Sequence, residues 1–417
     1  MLNKKTKIAD YIRVKISKNP LKDLTLFIQN LGYLPHEILF VSDKKIWELN
    51  KHFFQQKFLA TFGDSLLLES PIADDKNLKI ILEKSPKFKF ILAFGSGTIN
   101  DLCKYASFHQ KIKYGIIISA LSMNGYSAKN ASISFNNYKK TLSAHLPVFI
   151  IANYNILQNC PLELTKAGLA DVVCFYSCLF DIKLNEFFFG TYVNEEALSI
   201  QKRILKKFQK NFLAYKITDE AFLKILFELI LSSGLAMTLD NSSRPASQSE
   251  HLIAHYLTMK NPQLNYTILH GRLIASTTLT ALKIQKSIIE IMQSANFKDY
   301  LQLIVQQNFP YKIIENKLGS LISNECQQEF NDKIKHIKSS YNLIENYHNN
   351  KQIIYQKLNK ISAESNVILK IFHHFDVKCA IEDLGIDNNL YQEAILYARF
   401  LRNRITCLDF VSANLIK

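Results

Sequence analysis

Three histidines and one aspartate are the side chains of this chain best suited to chemistry. His251 and His255 are four residues apart, so on a helix they share one face, and His270 and Asp171 could join them from other segments. A catalytic metal site keeps three protein ligands and an open position, whereas a structural zinc site is closed by four ligands, usually including cysteine. Asp171, His251 and His270 fit the open type. In the alternative interpretation, each histidine is an isolated polar or core residue.

The segment before His251 predicts where its helix begins. Ser247 and Glu250 have the spacing of a capping box, in which the first side chain caps the helix and the second reaches back to it. We therefore expect a helix that starts at Ser247 and carries His251 and His255.

A second chemical signal is a glycine turn that follows an apolar run. Residues 90–94 predict a strand, and Gly95-Ser96-Gly97-Thr98 then leads into a helical segment. Glycines let the backbone approach an anion closely, and a helix start adds unpaired N–H groups and a positive dipole end, which suits a pyrophosphate. The turn lacks the third glycine of the usual dinucleotide fingerprint, so a simple turn remains the alternative.

Length and composition predict a folded chain of two domains. Single cores stop growing beyond roughly 250–300 residues, and this chain has 417, of which 48% are hydrophobic and 21% charged. There is no run of about 18 uninterrupted apolar residues, and the most apolar stretch, 221–239, is expected to be a buried helix of the second domain. The N-terminal segment lacks the apolar core of a secretory signal, so we expect a cytoplasmic protein without membrane insertion.

Cysteine usage and charge argue against other classes of protein. Seven cysteines at irregular positions favour neither a disulfide framework nor a zinc ribbon, and Cys174 and Cys178 are expected to be buried small residues rather than ligands. The net charge is +15, but the lysines are scattered, and the group over 202–210 has the spacing of a solvated helix face. We expect no nucleic-acid partner, although this field would attract a phosphorylated substrate or an anionic cofactor.

Strand and helix patterns alternate in the first part of the chain. This alternation predicts a parallel sheet, which binds ligands at the carboxyl ends of its strands, where Gly95 and Ser122 stand. From Asn153 onward, apolar residues repeat with the helical period only. The predicted fold is an α/β Rossmann-like parallel-sheet domain over residues 1–157 and an all-helical domain over residues 158–417. The expected elements of the first domain are a helical lead-in over 1–34, strands at 38–41, 90–94, 115–119 and 147–152, and helices at 47–54 and 98–107.

In their order along the chain, these motifs resemble the glycerol-1-phosphate dehydrogenase family, which shares a superfamily with iron-type alcohol dehydrogenases and dehydroquinate synthases. The resemblance covers roughly residues 88–412, and its most specific segment is Ser-Arg-Pro-Ala-Ser-Gln-Ser-Glu-His, which ends at His251. The other similar segments are 95–101, 122–126, 167–171, 270–271 and 398–409.

The resemblance implies a dehydroquinate-synthase-like fold and an NAD- or NADP-dependent reduction of dihydroxyacetone phosphate, or a related keto-sugar phosphate, to glycerol 1-phosphate or the related polyol phosphate. It implies one divalent ion, zinc with nickel or iron as alternatives, at Asp171, His251 and His270. His255 is the expected catalytic residue, for proton transfer or substrate hydrogen bonding, and a homo-oligomer is expected by analogy. The residues expected to bind the cofactor are Asp43, for which a turn is an equal alternative, Gly95, Ser96, Gly97, Thr98, Asp101, Ser122 and Asn124.

Three residues depart from the family pattern and change the charge near the predicted site. Asn124 stands where family members usually have Asp, Arg272 where they have Glu, and Phe175 where bacterial relatives often have Lys. A fixed cation about 6 Å from a metal costs on the order of a few kcal/mol at an effective dielectric near 20. Because all three predicted ligands remain, we favour a drifted enzyme with a phosphorylated substrate. A dehydroquinate-synthase-like cyclase and a non-catalytic homologue are the alternatives.

Overall fold

The computed structural model describes residues 12–54, 58–294, 297–339 and 347–411. Contacts between residues divide the chain into two compact units, which are described separately. The first unit comprises Met1–Val172 and Ser199–Ser242, and the second comprises Val173–Leu198 and Ser243–Lys417, in each case within the described residues.

A six-stranded parallel sheet forms the centre of the first unit, with the strand order β1-β8-β5-β4-β2-β3. The inner strands are almost wholly buried runs of apolar residues, as expected for a parallel sheet covered on both faces. This confirms the predicted fold class of the first part of the chain. The sheet strands are β1 (Arg13–Ser17), β2 (Ile38–Asp43), β3 (Asp64–Leu68), β4 (Phe90–Gly95), β5 (Lys113–Ile118) and β8 (Phe149–Asn153), and a separate hairpin is made by β6 (Asn130–Phe135) and β7 (Tyr138–Ser143).

Helices connect these strands. Aromatic side chains fill the layer between the helices and the sheet: the Phe40 ring lies 5.4 Å from the Trp47 ring, centroid to centroid, and the Phe54 ring 5.0 Å from that of Phe94. The helices that lie wholly or mainly in this unit are α1 (Pro20–Leu31), α2 (Lys44–Asn50), α3 (Asp75–Lys84), α4 (Gly97–His109), α5 (Tyr154–Gln158), α6 (Leu162–Val173), α8 (Glu195–Asn211) and α9 (Glu220–Asp240).

Part of the predicted helical lead-in is wrong. Arg13–Ser17 is an edge strand that pairs in parallel with β8, and only Pro20–Leu31 is helical; residues 1–11 lie outside the described residues. The hairpin of β6 and β7 was also not predicted. Its turn places Asn136 and Asn137 at φ values of 49° and 65°, which asparagine tolerates better than most residues and which a two-residue hairpin turn requires.

The sheet has one point where its connections change direction. The chain leaves β2 toward β3 at one edge of the sheet, and it leaves β4 toward β5 in the opposite direction. The strands β2 and β4 are neighbours, with Ser42 opposite Phe94 in the register. Ligands of open α/β sheets bind in the crevice at such a point, outside the carboxyl ends of the strands. Asp43 and Gly95 end these two strands.

Among the described helices, α9 is the one that is long and apolar enough to cross a membrane. However, 78% of its most apolar window is buried inside the protein. The prediction of a buried helix is confirmed. Its contacts, however, group α9 with the first unit, although it follows the boundary predicted at residues 157–158. Gly234 shows why: a Cβ there would lie 2.4 Å from Ser127 Oγ, so α9 packs closely on the loop after β5.

The second unit is helical throughout its described part, as predicted for the chain after Asn153. The helices α10 and α12 carry the predicted histidines and pack against each other. An ion pair between Lys333 of α15 and Asp409, both about 1% exposed, joins this helix to the C-terminal part of the described residues. The helices are α7 (Phe175–Phe189), α10 (Ser249–Lys260), α11 (Leu264–Thr267), α12 (His270–Met292), α13 (Phe297–Val305), α14 (Tyr311–Leu318), α15 (Ser320–Ser339), α16 (Tyr347–Ser365), α17 (Val367–His374) and α18 (Asn388–Tyr397).

Candidate functional site

The glycine turn lies where the sequence predicts it, between β4 and α4. Ser96 is the N-cap residue of α4, and its side chain makes no capping hydrogen bond. Neither glycine of the turn has a positive φ. Both positions instead lack room for a side chain. A Cβ on Gly95 would lie 2.7 Å from the Ile99 side chain, and one on Gly97 would lie 2.5 Å from the Met123 side chain. The turn therefore brings backbone N–H groups to the carboxyl end of the sheet without backbone strain.

Asp43 and Asp101, two predicted cofactor-binding residues, have structural partners. Asp43 caps α2, because its Oδ1 accepts hydrogen bonds from the N–H groups of Lys45 and Ile46 at 2.7 and 3.2 Å. Asp101 is 9% exposed, and its Oδ2 accepts from the Ser132 N–H group at 3.0 Å. Cofactor contacts of these two residues stay predictions.

A buried lysine, which the sequence did not single out, fixes the loop after β5. Lys104 Nζ donates to the carbonyl oxygens of Gly125 and Asn130 at 2.7 and 3.0 Å. Burial lowers the pKa of Lys104 to about 8, although Asp101, 3.8 Å away, opposes the shift. The loop that contains Ser122 and Asn124 is thereby held against α4.

Asp171 is tied to the same loop. One oxygen of its carboxylate, Oδ2, accepts a hydrogen bond from the Asn124 N–H group at 2.8 Å, and Asn124 Nδ2 donates to the Asp171 carbonyl oxygen at 3.2 Å. The glycine in Ala-Gly-Leu-Ala-Asp permits this approach, because a Cβ on Gly168 would lie 1.7 Å from the Leu121 carbonyl oxygen. The first unit thus presents the predicted aspartate ligand in one fixed orientation.

The three predicted histidines form a cluster in the second unit. The ring centroids of His251 and His270 are 5.4 Å apart, those of His255 and His270 are 6.0 Å apart, and those of His251 and His255 are 6.1 Å apart. His251 and His255 lie one turn apart on α10, and His270 is the first residue of α12. The predicted convergence of these histidines is observed, whereas the addition of Asp171 to them stays a prediction.

Glu250 does not form the predicted capping box. The N-cap residue of α10 is Gln248, without a side-chain capping bond, and not Ser247. The Glu250 carboxylate turns into the interior instead, where its Oε1 accepts from the Gln248 N–H group at 2.8 Å, from His251 Nδ1 at 2.9 Å and from Cys178 Sγ at 3.1 Å. The tertiary partners of Glu250 outweigh the local capping pattern. Burial alone would raise the pKa of Glu250, but these hydrogen bonds outweigh it and lower the pKa.

Two cysteines lie beside this carboxylate. Cys174 and Cys178 are buried, as predicted. The Cys174 sulfur, a Glu250 oxygen and a ring nitrogen of His251 all lie within 4.8 Å of one another. The prediction that these cysteines are packing residues rather than metal ligands therefore stays a prediction.

Asp181 lies below the same cluster and is fully buried. Its carboxylate accepts from the N–H groups of Ser249 and Cys407 at 3.1 and 2.9 Å. Burial, with a further contribution from the nearby charge of Glu250, raises the pKa of Asp181 to about 7. Near pH 7 Asp181 therefore carries only part of a negative charge, whereas Glu250, whose pKa is lowered, carries a full one.

Comparison with known proteins shows what this chain is similar to. The family described as iron-containing alcohol dehydrogenase matches residues 15–161. Glycerol-1-phosphate dehydrogenase [NAD(P)+] of Thermococcus sibiricus is 31% identical over 233 residues, which are 55% of this chain and 63% of that protein. The protein of the same name from Saccharolobus solfataricus is 28% identical over 311 residues, 72% of this chain and 82% of that protein.

Over residues 15–161 the chain is similar to the iron-containing alcohol dehydrogenase family. A solved structure of a probable glycerol dehydrogenase from Sinorhizobium meliloti shares its fold, with a TM-score of 0.61 and 11% identity over 96% of this chain and 93% of that one. The predicted resemblance to glycerol-1-phosphate dehydrogenases is confirmed. The match spans less than two thirds of the T. sibiricus protein, at 63% of its length.

The structure places the three side chains that were predicted to depart from the family pattern. Arg272 Nη2 donates to the Asp383 carbonyl oxygen at 2.9 Å, so its guanidinium is bound to a backbone oxygen. Phe175 begins α7 and is buried. Asn124 donates to the backbone of Asp171, as described above. Sequence reasoning missed Glu250 and Lys104 as positioning residues, because their partners are far away in the chain.

Proposed function

We propose that this protein is a metal-dependent, NAD(P)-linked dehydrogenase that interconverts dihydroxyacetone phosphate, or a related keto-sugar phosphate, with glycerol 1-phosphate or the related polyol phosphate. The observation that carries the proposal is the cluster of three imidazoles in which buried Glu250 holds His251. The names of the sequence relatives support the substrate class and the coenzyme.

The donor set fits a divalent ion. Glu250 Oε1 accepts a hydrogen bond from His251 Nδ1, which assigns the ring proton to Nδ1. In this tautomer the lone pair of Nε2 can bind a metal. We propose His251, His270 and Asp171 as ligands. Asp171 is held in one orientation by the Asn124 N–H group, which donates to its Oδ2 at 2.8 Å. This fixed carboxylate supports Asp171 as the third ligand. Zinc suits two imidazoles and one carboxylate, and nickel or iron is also compatible.

The coenzyme fits the carboxyl end of the sheet in the first unit. We propose that its pyrophosphate binds at the N-terminus of α4, where Gly95, Ser96, Gly97 and Thr98 present backbone N–H groups. Asp43, at the end of the neighbouring strand, would then contact the adenosine ribose through the oxygen that does not cap α2. Ser122 and Asn124 follow β5, the strand on the other side of β4. The order of the strands supports this assignment.

In the reaction, a bound divalent ion would supply Lewis acidity at the substrate carbonyl, and the nicotinamide would supply the hydride. Glu250 would keep His251 in one tautomer and one orientation throughout. His255 would donate a proton to the substrate oxygen, or hydrogen-bond to it, because its ring is part of the cluster and is only half-buried. The lack of a carboxylate at Asn124 favours an anionic substrate such as a sugar phosphate.

The test is metal analysis combined with a dehydrogenase assay. Purified protein should carry about one divalent ion per chain, as an open catalytic site requires, and should oxidise NADH or NADPH with dihydroxyacetone phosphate. A His251→Ala variant should lose both the ion and the turnover, whereas His109→Ala, which changes an exposed histidine at the end of α4, should keep both.

Two outcomes would contradict the proposal. A lack of turnover by metal-loaded protein with triose, tetrose or pentose phosphates would favour a non-catalytic homologue. Consumption of a sugar phosphate without a net change in NADH absorbance would favour the cyclase. Homo-oligomerisation and a cytoplasmic location stay predictions, and light scattering tests the first.

A further inference from the structure

Four donor side chains converge beside His251 in the second unit. The Cys174 sulfur, a Glu250 oxygen and a His251 nitrogen lie within 4.8 Å of one another, and Cys178 Sγ lies 3.1 Å from Glu250 Oε1. Cys174 and Cys178 are one turn apart at the start of α7, and Glu250 and His251 are adjacent at the start of α10. The proposed reaction uses neither thiol.

The chemistry of these four donors suits a soft or borderline cation. Two thiolates, a carboxylate and an imidazole can close a tetrahedron around Zn²⁺ or Cd²⁺. Bond lengths of about 2.0–2.3 Å place the donors of such a site roughly 3.3–3.8 Å apart. The donors of Cys174, Glu250 and His251, which lie up to 4.8 Å apart, would have to close by about 1 Å, and Cys178 would join them from its position 3.1 Å from Glu250 Oε1. All four residues are at most 5% exposed, which is typical of a closed site.

We propose that Cys174, Cys178, Glu250 and His251 form a second metal site that binds thiophilic divalent ions such as Cd²⁺ or Zn²⁺ in excess. Each coordinated thiol releases its proton to solvent, and His251 binds the ion through Nδ1 only after the proton on that nitrogen has passed through solvent to Nε2. An ion held there takes the Glu250 carboxylate away from His251 Nδ1, so the site controls the orientation of the ring. The resulting inhibition rests on the proposed dehydrogenase function, but the binding itself does not.

Binding is tested by adding Cd²⁺ to metal-depleted full-length protein and recording the ultraviolet sulfur-to-cadmium charge-transfer band. Wild-type protein should develop this band, and Cys174→Ala and Cys178→Ala should each weaken Cd²⁺ binding at the site at least tenfold. Cys326→Ala is the matched control, because Cys326 is a fully buried thiol of α15 outside this cluster. A band of unchanged size in the Cys174→Ala/Cys178→Ala double variant would overturn the proposal.

A second measurement needs no variant. Cadmium-113 NMR of the wild-type complex should give a resonance in the range of a site with two thiolates and mixed nitrogen and oxygen ligands. A spectrum with only nitrogen and oxygen ligation would also overturn the proposal. If the protein is a dehydrogenase, excess Cd²⁺ should inhibit the wild type at least tenfold more strongly than Cys174→Ala. If it has no dehydrogenase activity, the proposed function fails while the two binding measurements still decide on the site.

Discussion

Replacement of Glu250 tests the proposed metal site most directly. Glu250 Oε1 accepts three hydrogen bonds, and one of them holds His251 Nδ1 at 2.9 Å. Glu250→Gln keeps the size and one oxygen acceptor but removes the negative charge. In this variant the new amide group would face Ser177 Oγ, which lies 3.4 Å from Glu250 Oε2, so the geometry around His251 should persist. Glu250→Ala removes both the charge and the acceptor.

The two variants should therefore weaken metal binding by different amounts. Loss of a partner of a metal-ligating histidine typically lowers metal affinity 10–100-fold, or about 1.4–2.7 kcal/mol. We expect about tenfold for Glu250→Gln and about a hundredfold for Glu250→Ala. The alanine variant also leaves the His251 N–H group buried without this acceptor, which costs about 1–3 kcal/mol of folding stability.

The assay is competition for Co²⁺ against a chromophoric chelator, with the cobalt visible spectrum as a record of ligand geometry. All proteins carry Cys174→Ala, so that the proposed thiolate site does not contribute to the affinity. Ser177→Ala is the control, because it removes the 3.4 Å contact to Glu250 Oε2 and the 3.1 Å bond from Gln285 Nε2 but leaves the bond between Glu250 and His251, and it should change the affinity less than threefold. The reasoning fails if Glu250→Ala binds Co²⁺ as tightly as its parent while His251→Ala does not bind it.

Three further changes have defined outcomes. Asn124→Asp removes the donor to the Asp171 carbonyl oxygen and should lower the free energy of unfolding in urea by about 1–3 kcal/mol. The loss should be smaller with saturating Zn²⁺ than without it, and equal losses would contradict a nearby cation. Gly168→Ala places a methyl group 1.7 Å from the Leu121 carbonyl oxygen and should destabilise the fold by about 3 kcal/mol or more, whereas a well-folded variant would disprove the close approach. Because burial raises the pKa of Asp181 to about 7, this carboxyl favours folding at acidic pH, and the contribution is lost as the pH rises to 7. The loss is up to about 4 kcal/mol, and Asp181→Asn should flatten the profile between pH 4 and 7.

Elements with strong local patterns could be predicted from the sequence. The strand at Phe90–Gly95 is a continuous apolar run, and the helix after it begins at the glycine turn, so both were located within two residues. The edge strand Arg13–Ser17 was not predicted, because its short alternating pattern becomes a strand only through pairing with β8, more than a hundred residues away. Local pattern is sufficient for central strands but not for edge strands.

The candidate site shows the same limit. The spacing of His251 and His255 indicated their common helix face, and the structure adds His270 to the cluster. The role of Glu250 could not be predicted, because its spacing from Ser247 also fits a capping box and its partner Cys178 is 72 residues away. The helix Glu220–Asp240 presents a similar problem: its composition predicts burial but not the unit against which it packs.

The buried pair of Glu250 and His251 favours a working metal site over the relic of one. Removing a carboxylate and an imidazole from water is costly, and an apolar pair of similar volume is often neutral or more stable by about 1–4 kcal/mol. Fold stability therefore does not account for the pair, whereas the proposed cation on the far nitrogen of His251 would, because it would strengthen the attraction between ring and carboxylate. The departures at Asn124 and Arg272 do not oppose this conclusion, since both side chains donate to backbone carbonyl oxygens. They alter the charge around the proposed ligands rather than the ligands themselves, so we expect this chain to differ from its relatives in substrate preference.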